Sequence, residues 1–229
     1  MIKTVSNRKR VKLSPKFVTN EIAINCIVFG YVGGNLKVLM VKEENDGENK
    51  WRLPATFMKK NETANDATQR LLQESGIKES IFLSQLNAHC DPNRMITIGH
   101  YALIDTEKYS INKSTMSWIK ISYIQQLFYN QNAIFEEALM RLKRMVQDTP
   151  IAIKLLPRKF ALPELMNLYE AILGVEIDKP NLRKKILGSK YVLQLNEKSY
   201  SFTYRSTKLY TLNLAVFNSY DSKIADYDF

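Results

Sequence analysis

Two cysteines and two histidines are the only thiol and imidazole side chains in this 229-residue chain. Cys26 and Cys90 lie far apart and form no CxxC pair, which argues against a disulfide framework or a zinc knuckle, and each is expected to be an ordinary buried thiol. His89 and His100 fall in stretches that read as strands, so neither is expected to hold a metal. No apolar run approaches the ~20 residues of a membrane-spanning helix, and no signal-peptide stretch follows the basic start, so no membrane partner and a cytoplasmic location are expected. Internal repeats and low-complexity segments are also missing. Acid is absent from residues 1–20, which carry Lys3, Arg8, Lys9, Arg10, Lys12 and Lys16 for a net +6.

What is present is a localised positive charge. The whole chain carries +10 and is 45% apolar, enough to build real cores. Residues 179–208 hold eight cations against Glu197, a net +7, which leaves the chain outside the two basic regions at −3. Basicity confined in this way points to a polyanion-binding surface rather than to a generally basic protein. The run at 1–20 reads either as an arm that reaches a DNA groove or as a solvated tail.

From Glu21 onwards, Ile22–Tyr31 and Leu36–Lys42 read as strands about a Gly33-Gly34-Asn35 turn, and Lys50–Phe57 as a short strand bending at Pro54. Asn61–Gly76 reads as a helix with Asn61 as a possible cap and Ala64, Ala67, Leu71 and Leu72 on its apolar side. Strands follow near Ile81–Cys90, Ile96–Ile104 and Met116–Ile121, then a helix at Phe135–Val146 with Phe135, Leu139, Leu142 and Met145 inward. The fold class is α+β. Asp148-Thr149-Pro150 breaks the helix and sets a boundary. The expected divisions are an arm (1–20), a first domain (21–148), a second (149–220) and an acidic tail (221–229).

The second domain is centred on two helices. Leu162–Leu173 opens with Pro163, stops at Gly174, and repeats Leu162, Leu165, Tyr169 and Ile172 at helical spacing. The next helix starts after Asp178 as N-cap and places Leu182 and Ile186 inward, with Asn181, Lys184, Lys185 and Gly188 on the opposite face and Arg183 beside them. One docking stripe and one cationic-amide stripe is how a recognition helix must be built. Tyr191–Leu195, a turn at Asn196-Glu197-Lys198, Ser199–Tyr204 and Leu209–Phe217 would complete a winged helix.

Leu53–Ile77 resembles the Nudix box, G-x5-E-x7-R-E-U-x-E-E-x-G-U with U aliphatic. Glu62 and Arg70 match the first glutamate and the arginine, and Glu74 matches one later glutamate. Thr56 stands at the glycine, Leu71 at a metal-binding glutamate, Ser75 at the other, and Gly76 comes one residue early. Mg²⁺ is held through carboxylates and phosphates. One carboxylate of three remains, so Lewis-acid activation of a diphosphate is lost, and no catalytic residue, metal or cofactor is expected. His89–Ile104, with its DP-x-R segment, LLP-x-x-F from Leu155, YEAILG (Tyr169–Gly174) and D-K-x-N-x-R-K-K (Asp178–Lys185) extend the similarity to Nudix-related transcriptional regulators, covering nearly all of residues 21–210. Pro180 departs from the family's usual arginine and Leu182 from its usual phenylalanine.

The resemblance implies a Nudix-like α/β/α sandwich domain that senses a small molecule and a C-terminal winged helix-turn-helix that binds a palindromic double-stranded operator as a homodimer. One branch of the family senses ADP-ribose. Another, with a degraded box, senses sugars, notably L-arabinose, and the degraded box here resembles that branch. The expected protein is therefore a sugar-responsive repressor released from DNA by its effector. Competing readings are a hydrolase or sensor of ADP-ribose with residual activity, and an architectural or RNA-binding module without an effector.

Candidate DNA contacts are Asn181, Arg183, Lys184 and Lys185, then Lys190, Lys198, Tyr200 and Arg205 on or near the wing, and Arg8, Lys9 and Arg10 in the arm. Tyr200, Phe202 and Tyr204 alternate along one strand, which suits packing as well as stacking. A sugar site needs fixed hydrogen-bonding groups and an aromatic platform. Lys42, Arg52, Thr56, Asp91, Arg94 and His100 are the candidates for the effector, with Trp51 or Trp118 as platforms, while Arg70 with Glu62 or Glu74 reads as an internal ion pair.

Overall fold

The computed structural model describes residues 22–45, 48–78, 82–90, 95–124, 126–127, 131–199 and 207–217. The basic arm, Asp91–Arg94, Tyr200–Ser206 and the acidic tail lie outside the described residues.

The first strand, β1 (Ile22–Val32), is buried from Ala23 to Gly30 because apolar side chains occupy both of its faces. Gly33 and Gly34, at φ of 58° and 76°, turn it into β2 (Asn35–Asn45). β3 (Glu48–Arg52) pairs antiparallel with β2, and β4 (Ala55–Phe57) pairs with β1, Pro54 marking the bend between them. Helix α1 (Ala64–Glu74) follows. Its N-cap is Thr63, joined to Asp66 in a capping box, and not Asn61, which sits at a left-handed φ of 66°. β5 (Phe82–Cys90) and β6 (Ile96–Ile104) pair antiparallel, β6 runs parallel to β1, and β7 (Met116–Lys120) pairs with β2. The sheet order is β3-β2-β1-β6-β5, with β4 and β7 off that path.

Helix α2 (Gln131–Asp148) covers one face of this sheet and α1 the other. Ile27, Phe29, Met40 and Tyr101 pack with Ile134, Ala138 and Leu142 of α2 in one cluster. Cys26, Val28, Leu39 and Ala102 pack with Leu71 and Leu72 of α1 in the second. This is the expected α/β/α sandwich. The buried stripe of α2 is Ile134, Phe135, Ala138, Leu142 and Val146; Leu139 and Met145, expected inward, are only partly buried. Cys26 is buried as expected, but Cys90 is exposed at the end of β5. Among the described residues, no helix is long and apolar enough to cross a membrane.

Close approach of α2 requires Gly99. A Cβ there would come within 2.7 Å of Ile134 Cγ2 and 3.2 Å of Leu86 Cβ. Gly99→Val is expected to destabilise the chain by about 1–3 kcal/mol through overpacking, read as a lower urea midpoint; an unchanged midpoint would contradict this packing.

The chain then turns through a 3-10 segment, Ile151–Leu155, into β8 (Phe160–Ala161), α3 (Leu162–Leu173), α4 (Lys179–Gly188), β9 (Val192–Ser199) and β10 (Thr207–Leu212). β8, β10 and β9 form an antiparallel three-stranded sheet in that order, which with the two helices makes a winged helix. β9 continues through Asn196-Glu197-Lys198, where its register with β10 slips by two residues between Gln194 and Lys198, so a bulge stands in place of the expected turn. The buried residues of this module continue the α2-side cluster: Ile151, Leu165, Ile172, Ile186, Val192 and Tyr210 belong to it together with Ile27 and Leu142. The winged helix is thus docked on the first domain through apolar core.

Candidate functional site

Glu62 and Arg70 form a bidentate pair, with Nε to Oε1 at 2.8 Å and Nη2 to Oε2 at 2.9 Å. Arg70 also donates to Thr56 Oγ1 (3.0 Å) and to the Phe57 carbonyl (3.0 Å), and meets Glu74 at 3.5 Å. The guanidinium beside Glu62, aided by the Lys59 backbone N–H, lowers the Glu62 carboxyl to about 2. Both matched carboxylates therefore face an arginine, and Glu74 is otherwise exposed. Leu71, at a metal-binding position of the box, is only 6% exposed and lies in the α1-side core. Among the described residues, no three His, Cys, Asp or Glu side chains stand together to hold a metal. The residues present do not fit the divalent ions that the box ordinarily binds. The charge sites have become an internal clamp that ties α1 to β4.

Of the described effector candidates, Lys42 falls on one side of the sheet and Arg52, Thr56 and His100 on the other. Strand alternation carries the Met40 face on to Lys42, whose register partner is Trp51, so these two belong to the α2 side of the sheet. Arg52 is the register partner of Val41 and falls on the other side, where its Nη1 donates to the Leu53 carbonyl at 3.3 Å. Thr56 and His100 share the α1 side, but Thr56 buttresses Arg70. Trp118 packs against the α1-side core, not in an open cleft. Asp91 and Arg94 lie outside the described residues. The sheet separates Lys42 from the other three described candidates.

His100 is 2% exposed, and its Nδ1 has no hydrogen-bond partner. Burial lowers its pKa from the ordinary 6.5 to about 4. The neutral ring adds stability above pH 6.5 that is lost as pH falls through 6.5 toward 4, because the unfolded chain takes up the proton first. The unfolding free energy should fall by roughly 2–3 kcal/mol more in the wild type than in His100→Phe between pH 7 and pH 4. Parallel pH profiles for the two proteins would contradict this.

The basic module is more coherent. Asp178 caps α4 by accepting from the Asn181 backbone N–H at 3.0 Å, and Ile186 is the buried residue of the helix, with Leu182 partly buried. Asn181, Arg183, Lys184 and Lys185 are exposed, as is Lys190. Lys185 is the exception to the expected set, because its Nζ donates to the Gln147 carbonyl at the end of α2. Lys198 is exposed on β9, directly opposite Lys208 on β10. Like charges in register repel, and Lys208 Nζ donates instead to Gln194 Oε1 at 3.4 Å. Lys208 was not singled out from sequence; the expected turn at 196–198 hid its pairing. Glu197, the acid of the region, is bound by Lys159 at 2.7 Å, which leaves the lysine pair unopposed by it. Tyr200 and Arg205 lie outside the described residues, as do Arg8, Lys9 and Arg10.

Residues 152–212 match the family model of the NrtR DNA-binding winged helix domain. Fold and match together define a class: a Nudix-like domain carrying a winged helix similar to that DNA-binding domain. Within that class the chain is similar to Nudix-related transcriptional regulators of the NrtR kind. It is 28% identical over 190 residues, 77% of this chain and 76% of the relative, to the ADPR responsive transcriptional repressor NtrR of Acinetobacter baylyi. Its fold matches that of Shewanella oneidensis NrtR complexed with a 27mer DNA, at a TM-score of 0.75 and 22% identity over 85% of this chain and 94% of that one. A MutT/nudix family protein from Enterococcus faecalis is similar over 86% of this chain and 89% of its own, with a TM-score of 0.69 and 20% identity.

Proposed function

We propose that the chain is a DNA-binding transcriptional repressor whose Nudix-like domain senses a small molecule and no longer hydrolyses one. The observation that carries the reading is the exposed cationic surface of the winged helix, with Arg183 and Lys184 on α4 and the in-register Lys198–Lys208 pair on the wing strands. A homodimer on a palindromic operator suits a winged helix that reads half-sites. Selection of bound sequences from a random duplex pool tests it. A two-fold-symmetric site is expected, and recovery of unselected sequence would support the architectural alternative instead.

For the effector, the similarity to the Acinetobacter ADPR-responsive repressor supports ADP-ribose. L-arabinose was inferred from the degraded box alone. ADP-ribose at saturation is expected to lower affinity for the selected operator at least tenfold, because a ligand shifts an equilibrium only as far as it prefers one state. L-arabinose is expected to have no effect. Incubation of the chain with ADP-ribose and Mg²⁺ or Mn²⁺ should release no AMP, since both matched box carboxylates are held by Arg70.

A further inference from the structure

Apolar core fixes most of the winged helix to the first domain. Ile151, Leu165, Leu168 and Ile172 are fully buried, so a rigid rotation of the whole module would break a dry interface. Helix α4 is different. Its one buried residue is Ile186, against six in α3. Lys179 ties its start to Glu170 of α3 at 3.1 Å. Among the described residues, Lys185 makes the polar contact of α4 that reaches the first domain, through the Gln147 carbonyl of α2. That carbonyl is one of the last in α2, where a helix leaves acceptors unpaired and carries partial negative charge, so an ammonium is doubly favoured there. Beside this contact lies a cavity of about 300 Å³ with Val146, Pro150, Leu173, Leu182 and Ile186 among its walls. The seam between α2 and α4 is therefore held by one polar strut and otherwise loosely filled.

Helix α2 is also well placed to report on the first domain. Its first residue, Gln131, accepts the Leu53 N–H at 3.0 Å next to the box, and Glu137 bonds His89 at 3.0 Å on β5. We propose that Lys185 is a latch through which α2 positions the recognition helix, rather than a DNA contact, and that effector binding changes operator affinity by shifting α4 against the adjoining cavity. This rests on the repressor reading above.

The test compares Lys185→Met with Lys184→Met, using the full chain on its selected operator with ADP-ribose as probe. A lysine that neutralises a phosphate contributes about one unit to the slope of log affinity against log salt. Lys184→Met should lose that unit. Lys185→Met should keep the wild-type slope and reduce the fold-change produced by ADP-ribose at least fivefold, and Lys185→Arg, which can still reach the carbonyl, should restore it. Loss of a full slope unit in Lys185→Met, or an undiminished ADP-ribose response, overturns the latch. A wild-type chain that selects no site brings down the repressor reading itself, whereas one that binds a site but ignores ADP-ribose removes only the effector, and the salt slope then decides the latch.

Discussion

Replacing Arg183 and Lys184 together by alanine is expected to weaken operator binding at least a hundredfold while leaving the melting temperature nearly unchanged. Both side chains are exposed on α4, and neither has a hydrogen-bond or ion-pair partner among the described residues, so their removal takes nothing from the folded chain. A bidentate arginine at a guanine edge is worth about 1–3 kcal/mol, and a lysine at a phosphate adds a salt-dependent increment. The measurement is a fluorescence-anisotropy titration at two salt concentrations beside a thermal melt. A double variant that binds as well as the wild type would move the DNA-reading surface off α4.

Restoring the missing box carboxylate is expected to damage the protein, not to repair an enzyme. Leu71 is buried at 6% exposure among Cys26, Val28, Leu72 and Ile104. Leu71→Glu would place an ionisable group in that core with Arg70 already satisfied by Glu62, Thr56 and Phe57. A loss of about 3–5 kcal/mol is expected at neutral pH. The new carboxyl would be raised above its unfolded value, so the loss should shrink as pH falls toward that value. Urea denaturation at pH 7 and pH 5 measures this. A variant of wild-type stability that releases AMP from ADP-ribose with Mn²⁺ would show that the metal site is still open.

Much of the architecture could be read from local signals. Helix α3 runs from Leu162 to Leu173 as expected, since Pro163 fixes its first turn and Gly174 closes it in the left-handed region at φ 75°. Asp178 caps α4 for an equally local reason. What escaped reading depended on tertiary register. β8 is two residues long and has no periodicity to detect. Asn196-Glu197-Lys198 has the composition of a turn, yet it is carried as a bulge within β9, between the Gln194–Tyr210 and Lys198–Lys208 pairs. Lys185 looked like its neighbour Lys184 until a backbone carbonyl from α2 came within its reach. Lys42 parts from Arg52, Thr56 and His100 for the same reason: proximity in sequence to the old box says nothing about which face of the sheet a side chain occupies. The Glu62–Arg70 pair, by contrast, follows from the box spacing, because the loop before α1 folds its glutamate back onto the helix.

A repressor of this design reads DNA under the control of a ligand it does not consume. The most direct test is a titration of the labelled, selected duplex and a scrambled duplex with the full chain, with and without ADP-ribose. Binding to the selected duplex is expected to be tighter by at least a thousandfold, and reversed in large part by ADP-ribose that is recovered intact. Equal affinity for the two duplexes, or ADP-ribose cleaved during the titration, would contradict it.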